Sequence, residues 1–129
     1  MANKVYISES DLICVIYQGN QTYESVTSVT RQVIAAAEKL RLRHKEVKIL
    51  NSLKYIKGTT AESRKAVADA LMLDTYDKIA LYGGNMFFKY LTKLIVIATK
   101  KSAKVKYFDS KETASKWLLM NKVNTALKE

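Results

Sequence analysis

The hydrophobic residues of the chain alternate with polar ones in some stretches and recur every three or four positions in others. Alternation is typical of strands, and the longer spacing is typical of helices. Strands are predicted at residues 5–7, 12–17, 46–50, 77–82 and 104–108, with four helical segments among and after them. The order β-β-α-β-α-β-α-β-α predicts an α/β fold with a mixed sheet of about five strands and four helices, in a single domain over residues 1–129.

Polar residues indicate where the predicted helices begin. Thr22 is placed to cap the first helix with its side-chain oxygen. Thr59 opens a Thr-x-x-Glu capping box, in which two side chains satisfy backbone N–H groups reciprocally, and a second box opens at Asp109. Residues 51–58, which precede the first of these boxes, are predicted to be a connecting loop. The fourth helix is expected to continue to Val123.

The third predicted helix, over residues 85–100, is apolar on nearly every side. Such a helix is either deeply buried or presents a second apolar face to a partner. Full burial is hard to arrange in a chain of 129 residues, so we predict that the helix contributes to a homodimer interface or lines a pocket for an apolar ligand. Phe88, Leu91 and Ile95 are the interface candidates. The alternative is ordinary core with a few exposed apolar residues.

A tight turn that precedes this helix is a candidate ligand or anion site. Two glycines follow a strand there, and backbone N–H groups at a helix N-terminus can hold an anion. Ligands of open α/β sheets also favour the carboxyl ends of strands. The candidate residues are Gly83, Gly84, Asn85, Met86 and Phe87. The turn lacks the Lys-Ser/Thr of a P-loop and the third glycine of a dinucleotide site, so a plain turn with a helix cap is the alternative.

The chain carries a net charge of +10, from 22 basic and 12 acidic residues. Its densest basic patch comprises Arg41, Arg43, Lys45 and Lys48. Such a patch predicts contact with a phosphate, a nucleic acid or an anionic membrane, but no aromatic residues are interleaved with it. Because the charge is spread along the chain and consists mostly of lysines, a solvated surface is the alternative.

Residue types that perform catalysis or hold metals are scarce. Cys14 is the only cysteine and lies in an apolar strand, which favours a buried, inert thiol. His44 is the only histidine and is expected in an exposed loop, without the partners of a catalytic triad or a metal site. We therefore predict no enzymatic activity, no cofactor and no metal. The first 15 residues do not have the pattern of a signal peptide, and no apolar run approaches ~20 residues, so a cytoplasmic protein is expected.

Three stretches carry a further pattern. They are residues 48–58, residues 78–84 with the apolar helix that follows, and residues 105–118, where a strand leads into Phe-Asp, acidic residues, alanine and Trp-Leu. Together with the order of elements, these stretches resemble the STAS-domain superfamily, most closely its SpoIIAA-like (STAS/SEC14-like) branch of small bacterial proteins. The resemblance implies the STAS fold. It also implies a non-enzymatic regulatory or interaction module that works through a partner protein or as a homodimer.

The family resemblance invites comparison with anti-anti-sigma factors, which carry a phosphorylatable serine in an Asp-Ser-Ser-Gly type of loop at a helix N-terminus. Here residues 56–61 read Ile-Lys-Gly-Thr-Thr-Ala, and Lys57 stands where an acidic residue is usual. We therefore predict a module without the phospho-serine switch. Thr59 and Thr60 are candidates for phosphorylation as well as for a helix cap. Two alternative functions remain: a small apolar ligand or lipid-binding module, and a weak nucleic-acid or anionic-membrane binder.

Overall fold

The structure, a computed structural model, describes residues 2–120 and shows five strands and four helices in that range. The elements are β1 Lys4–Ile7, β2 Ile13–Asn20, α1 Tyr23–Leu42, β3 Lys48–Gly58, α2 Ala61–Met72, β4 Lys78–Tyr82, α3 Met86–Ala98, β5 Val105–Phe108 and α4 Lys111–Leu119. The predicted α/β fold and the order of its elements are therefore confirmed. The expected continuation of the last helix to Val123 lies outside the described residues.

The strands lie side by side in the order in which they occur in the chain, β1-β2-β3-β4-β5. β1 is antiparallel to β2, and each later pair is parallel, so the sheet is mixed as predicted. Crossovers between parallel strands are almost always right-handed. Three successive crossovers in one direction therefore place α1, α2 and α3 on the same face of the sheet, and α4 packs on the opposite face.

Each face of the sheet has its own hydrophobic core. Ile13 and Val15 of β2 belong to the larger core, under α1, α2 and α3, whereas Cys14 between them belongs to the smaller core, under α4. This division follows from the two-residue period of a strand. A sheet covered on both faces needs strands that are apolar at nearly every position, which is why these strands read as short continuous apolar runs.

β3 is longer than predicted, because residues 51–58 are strand and not a connecting loop. They pair with an equally extended β2, and the pairing continues across two irregularities in register until Asn20 lies opposite Gly58. Asn51 and Ser52 explain the wrong prediction, since asparagine is uncommon in strands and both residue types are frequent in turns.

α2 begins one residue later than predicted. Thr60 caps the helix, because its Oγ1 accepts a hydrogen bond from the Ser63 backbone N–H at 3.0 Å. The Ser63 Oγ in turn accepts one from the Thr60 backbone N–H at 2.8 Å, which is the role predicted for Glu62. Thr59 is therefore not the cap. Its Oγ1 instead accepts a hydrogen bond from Nη1 of Arg64 at 3.0 Å.

The predicted caps of α1 and α4 had different outcomes, since the first is correct and the second is shifted by one residue. Thr22 caps α1 as predicted. α4 begins after Ser110, whose Oγ accepts a hydrogen bond from the Thr113 backbone N–H at 3.2 Å, so the box predicted at Asp109 is wrong by one residue. Asp109 instead accepts a hydrogen bond from Nζ of Lys89 at 2.8 Å, which ties α3 to the start of α4.

Candidate functional site

α3 has two apolar faces that point in opposite directions. On the inner face Phe88 and Val96 are buried, and Leu91 and Ile95 are half-buried. The outer face carries five large apolar side chains, each 59–67% exposed. We call these residues the outer stripe: Met86, Phe87, Tyr90, Leu94 and Ile97. A row of exposed apolar side chains along one helix is a candidate surface for contact with another molecule.

The interface residues predicted from the sequence lie on the other face of the helix. Phe88 is only 6% exposed, and Phe88, Leu91 and Ile95 all border a cavity between α3 and the sheet. The prediction therefore chose the wrong residues for a surface contact. Helical periodicity could not separate the two faces, because nearly every position of α3 is apolar.

The charges around the outer stripe are positive. Residues 85–101 contain four lysines and no acidic residue. The hydrogen bond from Lys89 to Asp109 raises the pKa of the lysine and lowers that of the carboxyl. Lys93 is exposed and forms no ion pair within residues 2–120. Lys89 and Lys93 thus share one carboxylate, Asp109, so the charge beside the outer stripe is net positive.

A cavity of about 140 Å³ lies between the sheet and the three helices of the larger core. Its wall is mainly apolar and includes Val26, Val29, Val33, Ile49, Leu53, Val67, Leu71, Ile79, Leu81, Leu91, Ile95 and Val105. An engineered apolar cavity of about 150 Å³ binds benzene, so this space is large enough for a small apolar molecule. The ligand residues predicted at positions 83–87 do not border it, although the adjacent Phe88 does.

The side chains of Asn51 and Tyr17 border the cavity and make no hydrogen bond to residues 2–120, and their polar atoms are open to solvent or to the cavity. Asn51 is only 8% exposed and lies opposite Val15 on β2 and Leu81 on β4, so its amide is set among apolar neighbours. Tyr17 borders the same cavity two residues after Val15. Loss of hydration raises the pKa of Tyr17 to about 12. Both side chains can therefore form a hydrogen bond with a polar atom of a molecule inside the cavity.

Arg64 borders the cavity from the first turn of α2. Its Nη1 donates a hydrogen bond to Thr59, and it forms no ion pair with any carboxylate of residues 2–120. Gln21, which follows β2, and Ile56, near the end of β3, also line this part of the wall. Arg64, a half-buried residue without an ion pair to any described carboxylate, therefore lies near the carboxyl ends of β2 and β3.

The titration of Tyr17 tests its environment. We expect Tyr17 and Tyr76 to ionise with pKa values of about 12, because burial disfavours the tyrosinate anion. An unfolded tyrosine ionises near pH 10, so this contribution to stability is complete below pH 10 and is lost as the pH rises towards 12. In a pH titration of tyrosinate absorbance, Tyr17→Phe should have one fewer tyrosine that ionises near pH 12 than the wild type. The exposed Tyr55 is the control. If Tyr17→Phe and Tyr55→Phe have the same number of tyrosines that ionise near pH 12, the assignment is wrong.

The glycine turn before α3 is hydrogen-bonded to the side chain of Tyr107, a contact that was not predicted from the sequence. The Tyr107 hydroxyl accepts a hydrogen bond from the Gly84 N–H at 2.8 Å and donates one to the Gly84 carbonyl at 3.1 Å. Asn85 Oδ1 accepts from the Phe88 N–H at 3.0 Å. Of the predicted anion-site residues, Gly84 therefore has its N–H already bonded, and the Asn85 side chain is used as the helix cap. Only the pairing of Leu81 with Tyr107 across β4 and β5 brings this hydroxyl to the turn.

Gly83→Ala is expected to destabilise the protein by about 1–3 kcal/mol. Gly83 has a φ of +90°, where an L side chain is strained, and an added Cβ would lie 3.2 Å from the backbone nitrogen of Lys54. Gly19→Ala is the matched control, because Gly19 has a φ of +75° and nothing lies within 4 Å of the added Cβ. Urea unfolding should show the larger loss for Gly83→Ala. Equal losses would mean that the contact with Lys54 has no energetic effect.

Thr59 and Thr60, the phosphorylation candidates, both have structural partners. Thr60 is exposed and caps α2, and Thr59 is half-buried and accepts the hydrogen bond from Arg64. A phosphate on Thr60 would change the cap that starts the helix, although the helix dipole would favour its negative charge. Phosphorylation of either residue remains a prediction.

Each residue of the predicted basic patch has a carboxylate within ion-pair distance. The pairs are Arg41 with Asp77 at 3.9 Å, Arg43 and Lys45 with Asp11 at 3.1 and 3.7 Å, and Lys48 with Glu46 at 3.9 Å. Exposed pairs of this kind contribute about 0–1 kcal/mol each to stability. They reduce the positive potential of the patch, because three carboxylates lie among its four cations.

The remaining residues singled out in the sequence have ordinary environments. Cys14 is buried, and burial raises the pKa of its thiol, as expected of an inert cysteine. His44 lies in an exposed turn after α1. Within residues 2–120, no group of histidine, cysteine, aspartate and glutamate is arranged to hold a metal ion. None of the helices that the structure describes is long and apolar enough to cross a membrane.

Solved structures share this architecture over most of its length. An uncharacterised protein with a SpoIIAA-like fold from Shewanella loihica PV-4 superimposes with a TM-score of 0.63 at 18% identity, over 91% of this chain and 92% of that one. The anti-sigma factor antagonist SpoIIAA in its unphosphorylated form gives a TM-score of 0.60 at 8% identity, over 88% of this chain and 94% of that one. At these identities the likeness shows the fold alone, which is a SpoIIAA-like fold.

The family model described as SpoIIAA-like matches residues 12–119. The chain therefore belongs to the SpoIIAA-like family, as its sequence motifs predicted. No curated protein matches the chain. The matched range contains the outer stripe of α3 and every residue of the cavity wall, so both candidate surfaces lie within the part of the chain that the family shares.

Proposed function

We propose that this protein is a non-catalytic regulatory module of the STAS type that binds a partner protein through the outer stripe of α3. The observation that carries the proposal is the 59–67% exposure of five large apolar side chains along one side of a single helix. Burying such a side chain stabilises an interface by about 1.5–3 kcal/mol. One structural relative is named an anti-sigma factor antagonist, and regulation through protein contact is the role that we transfer to this chain.

The charges favour an acidic partner protein over a second copy of the chain. Residues 85–101 carry lysines without any acidic residue, and the whole chain has a net charge of +10. Two copies that met along α3 would bring like charges together, which disfavours association. A partner with apolar pockets and an acidic rim would gain from both features of the surface.

Three further predictions from the sequence belong to this proposal. They are a single domain over residues 1–129, a cytoplasmic location and a regulatory mode without the phospho-serine switch. The last is supported by Thr60, which caps α2 together with Ser63. The absence of catalysis is supported by membership of the SpoIIAA-like family, whose related antagonists act on other proteins.

Affinity capture from cells that naturally express the protein tests the proposal with three baits: wild type, Leu94→Asp and Leu42→Asp. Leu94 is in the outer stripe, and Leu42 is 83% exposed at the end of α1, so the control introduces the same charge away from the stripe. We expect a partner to bind wild type and Leu42→Asp and to lose about tenfold or more of its affinity for Leu94→Asp. An identical set of bound proteins for all three baits would overturn the proposal.

Light scattering and vesicle binding test whether the outer stripe binds a second copy of the chain or a membrane surface instead. If the wild type is a dimer and only Leu94→Asp is a monomer, the molecule that binds the outer stripe is a second copy of the chain. If the wild type binds anionic vesicles and Leu94→Asp does not, the outer stripe binds a membrane surface. Either outcome would contradict an acidic partner protein. Nucleic-acid binding is the least favoured alternative, because the basic patch is paired with carboxylates, and such binding would have to weaken steeply with added salt.

A further inference from the structure

The cavity between the sheet and the helices α1, α2 and α3 differs from a simple packing defect. Its volume of about 140 Å³ is large for a protein interior, where voids bigger than a water molecule are few. A void that is only a defect is lined by apolar groups and stays empty. This one has polar groups at separate points of an otherwise apolar wall, which is the composition of a binding site for a small molecule.

The deepest of these polar groups is the amide of Asn51. The side chain lies in the middle of β3, on the face under the helices, and is flanked in register by Val15 and Leu81. It is 8% exposed and makes no side-chain hydrogen bond to any residue in the range 2–120. No buried side-chain polar atom of these residues lacks a hydrogen-bond partner, so the amide atoms of Asn51 are open to the cavity that the residue borders. The amide is therefore available to form a hydrogen bond with a polar atom of a molecule in the cavity.

Tyr17 and Arg64 are two further polar residues of the cavity wall, and both lie nearer the carboxyl ends of the strands than Asn51 does. Tyr17 lies two residues beyond Val15 on the same face of β2, so it is nearer the end of the strand than the position opposite Asn51. Arg64 lies further still, beside Thr59, where β3 has ended and α2 has begun. The guanidinium is the one cation on the cavity wall, and no described carboxylate neutralises it. A planar guanidinium is suited to bidentate recognition of a carboxylate.

We propose that this cavity binds a small amphiphilic carboxylic acid with a body about the size of a benzene ring. Its carboxylate pairs with Arg64 at the outer end, its apolar body fills the space between the helices and the sheet, and a hydroxyl at its far end bonds with Asn51. Tyr17 supplies a second hydrogen bond along the way. This site is separate from the outer stripe, so the inference goes beyond the proposed function.

Calorimetric titration of the purified full chain tests the site with 4-hydroxyphenylacetate as the probe and its neutral amide, 4-hydroxyphenylacetamide, as the comparison. We expect wild type to bind the acid and Arg64→Gln to bind it about tenfold or more weakly, because a charge-assisted pair is lost. The amide should bind wild type and Arg64→Gln equally. Arg31→Gln is the matched control, since Arg31 is exposed on α1 and does not border the cavity.

Two further variants keep the result interpretable if Arg64→Gln is poorly folded. Asn51→Leu fills part of the cavity and should abolish binding of both probes while the chain stays folded by circular dichroism. Leu94→Asp in the outer stripe should bind the acid as wild type does, so that this inference and the proposed function fail separately. Absence of heat with wild type up to about 10 mM acid would overturn the proposal. Equal binding of acid and amide by wild type, or equal affinity of Arg64→Gln and wild type for the acid, would also overturn it.

Discussion

Replacing Leu118 by alanine is expected to lower the free energy of unfolding by about 2–5 kcal/mol. Leu118 has no solvent exposure and lies in the smaller core, where α4 packs on the sheet against residues such as Cys14 and Ala80. The truncation removes buried methyl groups and leaves a cavity. Because α4 is the one helix on this face within residues 2–120, few other described side chains are available to collapse into the space.

Urea denaturation followed by circular dichroism measures this effect. Leu119→Ala is the matched control, since it makes the same change at the next residue of the same helix, where the side chain is 49% exposed. We expect the control to stay within about 0.5 kcal/mol of the wild type. Similar losses in the two variants would show that Leu118 does not anchor α4 to the sheet.

Replacing Asn51 by leucine is expected to have the opposite sign and to raise the free energy of unfolding by about 1–3 kcal/mol in the absence of ligand, because an apolar side chain is buried there. The substitution removes an amide that makes no hydrogen bond to residues 2–120 and places methyl groups next to a cavity of about 140 Å³. Replacing a buried polar group by an apolar one usually destabilises a protein through overpacking or a broken hydrogen bond. Neither mechanism applies here, because the site has free volume and the amide has no bond to lose.

The same urea experiment tests this expectation with Asn20→Leu as the control. Asn20 is the exposed last residue of β2, and a change there should stay within about 0.5 kcal/mol of the wild type. A lower unfolding midpoint for Asn51→Leu than for the wild type would mean that the amide is well satisfied in the folded chain. It would also remove the main argument for an occupant of the cavity. A protein that gains stability by losing Asn51 has kept that residue for a purpose other than folding.

The order of elements could be predicted because each element has a local signal in the chain. Alternating or continuous apolar runs mark the strands, and the three- and four-residue spacing that ends at Leu40 marks α1. Helix starts were less certain where two neighbouring side chains can cap, as at Thr59 and Thr60. The choice between them depends on which hydroxyl reaches the third backbone N–H of the helix, and that geometry is set by where the preceding strand ends.

The candidate surfaces could not be predicted residue by residue. The inner and outer faces of α3 have the same apolar character, so only packing against the sheet distinguishes Phe88 from Phe87. The cavity wall is assembled from three helices and four strands, and no spacing along the chain marks it. Asn51 was even read as a loop residue, because its type conflicts with a buried strand. Such conflicts between local preference and global fold concentrate at functional sites.

The consecutive rings of Phe87 and Phe88 have a consequence for how the two surfaces communicate. Phe87 is in the outer stripe and Phe88 borders the cavity, and their centroids lie 5.2 Å apart with ring planes at 76°. This edge-to-face pair joins the cavity wall to the outer stripe at the start of α3. A molecule that tilts Phe88 as it enters would shift Phe87 through direct contact. We expect an occupied and an empty cavity to present different shapes at the surface, so a metabolite inside the protein would be sensed by whatever protein binds outside.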